Sequence, residues 1–134
     1  MGQQQLLLII LGVIVVGIAV VVGISMFQDN AISANRDAVT NDLVNLGARS
    51  QQFYRRPPSL GGGGNTFTGC TIDKLAGPIN ATAWTNPNGT YSISGTATAT
   101  EVTIDGLGVE KSGGNLVHVT CRVTADSLVT TVLN

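Results

Sequence analysis

The chain has 134 residues, a formal net charge of −1 and a very uneven distribution of charge. Its first 28 residues contain no Asp, Glu, Lys, Arg or His, and the few Lys and Arg residues that follow are scattered along the sequence. Scattered cations exclude the clustered basic footprint of a nucleic-acid-binding protein. Roughly 106 residues follow the uncharged segment, enough for one small hydrophobic core.

The first predicted element is an apolar helix over residues 1–27. Leu6 to Phe27 is a run of 22 residues in which Ser25 is the one polar residue. An α-helix over this run spans roughly 33 Å, close to the hydrocarbon thickness of a bilayer. Its Leu, Ile, Val and Phe residues favour membrane insertion by about 5 to 10 kcal/mol. A cleavable signal peptide is not expected, because Gln3 to Gln5 supply no basic flank and the run is too long.

The helix is predicted to continue through residues 28–56 as an amphipathic segment. No proline interrupts this stretch, and apolar residues recur at spacings of 7, 4, 3 and 7, at Ile32, Val39, Leu43, Leu46 and Phe53. These spacings describe one stripe of a 3.6-residue helix. Arg55 and Arg56 suit a helix C-terminus, and Pro57 ends the helix. The stripe needs a covering surface, which we expect the rest of the chain to provide.

Residues 57–65 contain two prolines and four consecutive glycines and are predicted to form a flexible linker. Residues 66–134 are predicted to form a β-rich head, with alternating patterns at 91–99, 102–105 and 117–123 and an apolar run at 128–133. Residues 67–88 are expected to be irregular, with Trp84 a half-buried anchor rather than a ligand-stacking residue. The predicted fold class is α+β, a long N-terminal helix packed against a small antiparallel sheet of three or four strands.

Both cysteines, Cys70 and Cys121, lie in the head and neither belongs to a CxxC pair. We predict that they form a disulfide, which would imply an oxidising compartment and stabilise the head by roughly 4 kcal/mol. Two buried free thiols are the alternative. Asn80 and Asn88 each begin an Asn-X-Thr sequence and are candidate glycosylation sites.

No pattern in the sequence points to catalysis. The single histidine, His118, lies between Val117 and Val119 and is predicted to point to the polar face of a strand, without a nearby nucleophile. One histidine and two cysteines are too few for a typical zinc site, and no calcium-loop spacing occurs. We therefore expect no enzymatic activity, no metal and no cofactor.

This architecture resembles the type IV pilin family, including pseudopilins and archaeal-type pilins, over about 55 residues of helix and, in outline, the head. The resemblance implies that the apolar helix holds the subunit in the membrane and then bundles with other copies in a filament core, with the heads outside. The positions implied to pack in that core are Leu6, Leu7, Ile10, Leu11, Ile14, Val15, Ile18, Val22 and Ile24. It also implies a head disulfide between Cys70 and Cys121.

Three features differ from the family pattern. Family precursors carry a short basic leader, and none precedes Met1; bacterial pilins usually have Glu at the fifth mature position, where this chain has Gln5. Gln5 can donate and accept hydrogen bonds but cannot neutralise a neighbour's terminal amine. The helix also lacks the family's frequent midway proline, so Gly12, Gly17 and Gly23 are the predicted points of flexibility.

The sequence therefore predicts a structural subunit of an extracellular type IV pilus-like filament. Its expected partners are further copies of itself, the membrane before assembly and a pilus-like assembly machinery, without nucleic acid. The expected location is the cell surface, with a precursor pool in the inner membrane. The alternatives are a low-copy pseudopilin, a single-pass membrane-anchored adhesin or binding protein, and a virion coat protein.

Overall fold

The computed structural model describes residues 2–77 and 82–134, which form a long helix and a β-rich head. The helix α1 covers Gly2–Arg55, a 3₁₀ turn covers Pro58–Leu60, and a short helix α2 covers Ile72–Ala76. The strands are β1 (Ala83–Asn86), β2 (Gly89–Ile93), β3 (Glu101–Ser112), β4 (Asn115–Thr124) and β5 (Leu128–Val132). They form one five-stranded antiparallel sheet in the order β1-β2-β3-β4-β5. The predicted α+β fold, with a long N-terminal helix against an antiparallel sheet, is confirmed.

The helix α1 runs without a break through both its apolar and its amphipathic half. It contains 54 residues, which corresponds to a length of about 81 Å. It ends one residue before the predicted Arg56, in front of Pro57. Proline at this point cannot supply the backbone N–H that a continuing helix needs.

One face of the second half of α1 packs on the sheet. Val39, Leu43, Leu46 and Phe53 are buried in the core, and Ile32 is half-buried against it. Alternate residues of β3 and β4 face this stripe because strand side chains alternate between the two faces of a sheet. The inward-facing residues are Val102, Ile104, Val117, Val119, Cys121 and Val123.

The helix packs directly on β3, where two glycines, Gly106 and Gly108, form the floor beneath it. A Cβ atom at Gly106 would lie 2.8 Å from Cγ1 of Val39, and a Cβ atom at Gly108 would lie 2.0 Å from Oδ1 of Asn35. A side chain at Gly106 would displace the side chain of Val39, and one at Gly108 would displace the amide of Asn35. These glycines therefore set the depth at which the helix packs.

Residues 57–65 form a folded cap on the end of α1 rather than the flexible linker that the glycine run predicts. The backbone N–H of Gly63 donates to the carbonyl of Phe53 at 2.8 Å. In the same way, Gly64 donates to Arg56 at 2.9 Å and Asn65 donates to Tyr54 at 2.7 Å. These bonds satisfy carbonyls that would otherwise have no partner at a helix C-terminus. A Cβ at Gly63 would meet the carbonyl oxygen of Thr66 at 1.8 Å. Glycine is required here by lack of space.

The head has more regular structure than the sequence pattern indicates. Helix α2 and strand β1 both fall in the stretch 67–88 that was expected to be irregular, and Trp84 of β1 packs its ring 5.3 Å from that of Tyr91. The predicted strand over 91–99 ends instead at Ile93. Gly95 has a φ of 67°, and the Thr98 hydroxyl accepts a hydrogen bond from the N–H of Glu101, forming a turn before β3.

The predicted disulfide is wrong, because Cys70 and Cys121 are both free and buried. Cys121 lies in the middle of β4 and faces α1, whereas Cys70 precedes α2 and lies beside the Ser50 hydroxyl of the helix. Each thiol fills a small apolar position of the core. Burial raises the pKa of each thiol to about 11, which keeps both protonated and unreactive. The cysteines therefore give no support for an oxidising compartment.

We expect thiol labelling to reflect this burial. In the folded protein, iodoacetamide should modify neither Cys70 nor Cys121, and after unfolding it should modify both. Intact mass spectrometry before and after reduction provides the check, and the mass should not change. A mass increase of two hydrogens on reduction would show that the two cysteines form a disulfide after all.

Candidate assembly surface

The apolar half of α1 projects entirely outside the head. Its large apolar side chains, from Leu6 to Phe27, are each between 52% (Ile14) and 78% (Phe27) exposed. The segment is long and apolar enough to cross a membrane, and no part of it is buried by the rest of the described chain. Exposing this much apolar surface to water would cost on the order of 25 kcal/mol or more. Lipid or other protein must therefore cover it.

All the predicted filament-core positions lie on this uncovered segment. The structure brings none of them together with the head, and it leaves them on every side of the helix. They are Leu6, Leu7, Ile10, Leu11, Ile14, Val15, Ile18, Val22 and Ile24. The predicted flexible points, Gly12, Gly17 and Gly23, are helical, and a Cβ at any of them would meet no atom within 4 Å.

A buried amide, Asn35, fixes the base of the head to the helix. Its Nδ2 donates to the carbonyl of Asn88 at 2.8 Å, and its Oδ1 accepts from the backbone N–H groups of Val109 (3.1 Å) and Glu110 (3.2 Å). One helix turn thus holds both the β1–β2 turn and the irregular part of β3. Because α1 is continuous from Gly2 through Asn35, the apolar segment has a defined direction relative to the head.

A second polar anchor is the carboxylate of Asp42. Its Oδ2 accepts hydrogen bonds from Asn86 (2.9 Å), Asn88 (2.9 Å) and the Tyr91 hydroxyl (2.6 Å). Partial burial by itself raises the pKa of Asp42, but these hydrogen bonds outweigh it, so the pKa lies below its ordinary value of 3.8. Sequence reasoning missed both anchors because both residues are polar: Asn35 occupies the place on the apolar stripe between Ile32 and Val39, and Asp42 lies next to Leu43 at the edge of that stripe.

This carboxylate should make the stability of the head depend on pH. A pKa lowered by folding contributes stability above the ordinary value near 3.8, and the contribution is lost as the pH falls through the folded pKa. Asp42→Asn should therefore lower the stability of the head at neutral pH. In this variant, stability should also decrease less steeply as the pH falls below about 4. Urea unfolding in detergent micelles across this range measures both effects. Asp37→Asn, an exposed neighbour on α1, is the control, and an equal flattening in that variant would contradict the assignment.

The two glycosylation candidates have different outcomes. The side-chain nitrogen of Asn88, where a glycan would be attached, donates to Asp42, so a glycan would have to break this contact. Asn80 lies outside the described residues.

His118 lies on the outer face of β4, where its Nε2 is 3.7 Å from Oδ1 of Asp105.

The outer face of the sheet carries a second exposed apolar surface that the sequence patterns did not reveal. Its members are between 39% (Leu116) and 58% (Leu133) exposed. They are Leu107, Val109, Leu116, Val129 and Leu133, which come from β3, β4, β5 and the residue after β5. The inner face of the sheet is therefore covered by α1, whereas the outer face carries exposed apolar side chains among polar ones such as His118 and Asp105.

The chain matches no protein-family model, no curated protein and no solved structure.

Proposed function

We propose that this protein is the structural subunit of an extracellular, type IV pilus-like filament. It is held in a membrane before assembly and polymerises by bundling of its apolar helical segments. The observation that carries the proposal is the single uninterrupted helix α1, uncovered along its apolar half and tightly fixed to the head along the other.

The rigid connection favours a polymer over a simple membrane anchor. An anchored binding protein needs only a spanning segment and a flexible tether, whereas here the helix enters the head without a joint and is clamped by Asn35 and Asp42. A fixed angle between helix and head lets every copy repeat the same contacts with its neighbours. Such repetition is the condition for a helical assembly.

The energetics of the apolar segment are compatible with transfer from lipid to a bundle. Lipid tails and neighbouring apolar helices shield Leu, Ile and Val side chains from water about equally well, so packing contacts decide between them. The exposed outer face of the sheet, including Leu107 and Leu116, supplies further apolar surface for contacts between heads. The proposed partners are copies of the chain and a machinery that extracts them from the membrane. No enzymatic role is proposed.

Electron microscopy of material sheared from the cell surface tests this proposal. We expect filaments in which this chain is the main component, with densities of bundled helices at the centre and heads outside. If the chain is abundant but occurs only in membrane vesicles, the proposal fails. Low copy number in the membrane would instead support an accessory pseudopilin or an anchored adhesin.

A further inference from the structure

Cations that are scattered along the sequence lie close together at the end of the head where α1 ends. Arg49, Arg56 and Lys74, together with the amide of Gln52, line one cavity of about 430 Å³ between the end of α1 and α2. These are three of the seven Lys and Arg residues of the chain. The fold therefore concentrates positive charge at a place where the sequence shows only isolated residues.

No carboxylate shares the cavity. Among the described residues, Arg122 forms an ion pair with Glu101 and His118 lies 3.7 Å from Asp105, both on the sheet. Asp73, next to Lys74 in sequence, lines an adjoining cavity with Cys70 and Ile72 instead. Residues 78–81 contain no acidic side chain. None of the three cations forms an ion pair within the described residues, and the nearby Asp73 is the one carboxylate whose charge interacts with Lys74.

Two of the cations are held in place by the head. Nη1 of Arg49 donates to the carbonyl of Leu75 at 2.8 Å. Nζ of Lys74 donates to the carbonyl of Gly69 at 2.7 Å and lies 5.4 Å from the centre of the Phe53 ring. Each group uses one N–H in these contacts and keeps others free, since a guanidinium has five and an ammonium three. The cavity therefore presents oriented donors.

Capping of the helix does not account for Arg56. Cations at a helix C-terminus often bond the last carbonyls, but here backbone N–H groups occupy the carbonyls of Gln52, Phe53, Tyr54 and Arg56. Within residues 2–77 and 82–134 the Arg56 guanidinium makes no hydrogen bond or ion pair. Its planar fork of donors suits a carboxylate or phosphate group.

We propose that this cavity binds the oxyanion of a small molecule, a phosphate or a carboxylate, between Arg56, Lys74 and Arg49. About 33 Å of helix separates Phe27, at the end of the apolar segment, from Arg49, the first cavity residue, and about 42 Å separates Phe27 from the end of α1. With the apolar segment in a membrane, as proposed above, the lipid headgroups are out of reach of the cavity, and the ligand comes from the medium. This site does not depend on filament assembly, and it would bind on the isolated subunit as well as on a filament.

Calorimetric titration of the full-length protein in non-ionic micelles tests the site, with inorganic phosphate and glucuronate as separate probes at constant ionic strength. We expect saturable binding of at least one probe. Binding of phosphate alone identifies a phosphate ligand, binding of glucuronate alone identifies a carboxylate, and absence of saturable binding by both overturns the proposal.

Matched variants separate this site from general attraction by positive charge. Arg56→Gln with Lys74→Gln should weaken binding about tenfold or more, because charge-assisted hydrogen bonds are lost. Lys111→Gln with Arg122→Gln removes the same charge elsewhere on the head and should leave binding unchanged. Arg56→Gln alone serves if the double variant is destabilised. Equal weakening in both double variants would overturn the proposal.

Discussion

Val16→Asp is expected to abolish filament formation while leaving the protein in the membrane. Val16 lies midway along the apolar segment and is 62% exposed on the isolated subunit. An aspartate at the centre of a membrane-spanning helix costs about 2.5 to 3.5 kcal/mol, less than the roughly 5 to 10 kcal/mol by which the segment favours insertion. Lipid also adapts to a charge by local thinning and water penetration.

A tightly packed helix bundle, unlike lipid, cannot adapt to a charge by thinning or by admitting water. In the filament core every copy would place one carboxylate among apolar side chains, which costs several kcal/mol per subunit. Electron microscopy of sheared material, combined with detection of the protein in the membrane fraction, measures the result. Val16→Leu is the matched control and should assemble normally, because an apolar exchange of similar size is tolerated. Normal filaments from the aspartate variant would rule out core packing by this segment.

Gly108→Ala should destabilise the head by about 3 kcal/mol, although it adds a single methyl group. The new Cβ would lie 2.0 Å from Oδ1 of Asn35, so the amide must leave its place. Asn35 would then lose its bonds to Asn88, Val109 and Glu110. Unsatisfied buried polar groups cost about 1 to 3 kcal/mol each. Urea unfolding in micelles, followed by tryptophan fluorescence, measures the loss.

A double-mutant cycle shows whether this contact is the cause. If the methyl group acts by displacing Asn35, Gly108→Ala should cost much less in an Asn35→Ala background than in the natural chain. Gly23→Ala, on the part of α1 where a Cβ meets no atom, should not lower the stability of the head. Additive effects of Gly108→Ala and Asn35→Ala would mean that the strand itself, not the amide, is disturbed.

Prediction from sequence succeeded where the spacing of apolar residues along a single helix or strand was sufficient. The length of α1, its apolar and amphipathic halves and the inward residues of β4 all follow from repeats of about 3.6 or 2 residues. These patterns report which side of an element meets apolar surroundings, and they need no knowledge of the partner. The uncovered apolar segment, and with it the proposed assembly surface, could be found in this way.

Prediction failed where the outcome depended on distances between remote parts of the chain. The glycine run at 61–64 has the composition of a linker, but hydrogen bonds to the end of α1 order it. Two cysteines in one small head suggested a disulfide, but strand register and the position of α2 keep them as separate core residues.

The sequence by itself determined which element must be shielded from water, namely one continuous helix with no charge along its first half. Only the tertiary structure decided how firmly the head holds this helix, through Asn35, Asp42 and the glycine floor of β3, and which cations meet at the far end. Hydrophobic burial is written residue by residue in the chain, because each side chain carries its own transfer free energy. Hydrogen bonds and cavities require two or more groups at defined distances, and that information exists only after the chain has folded.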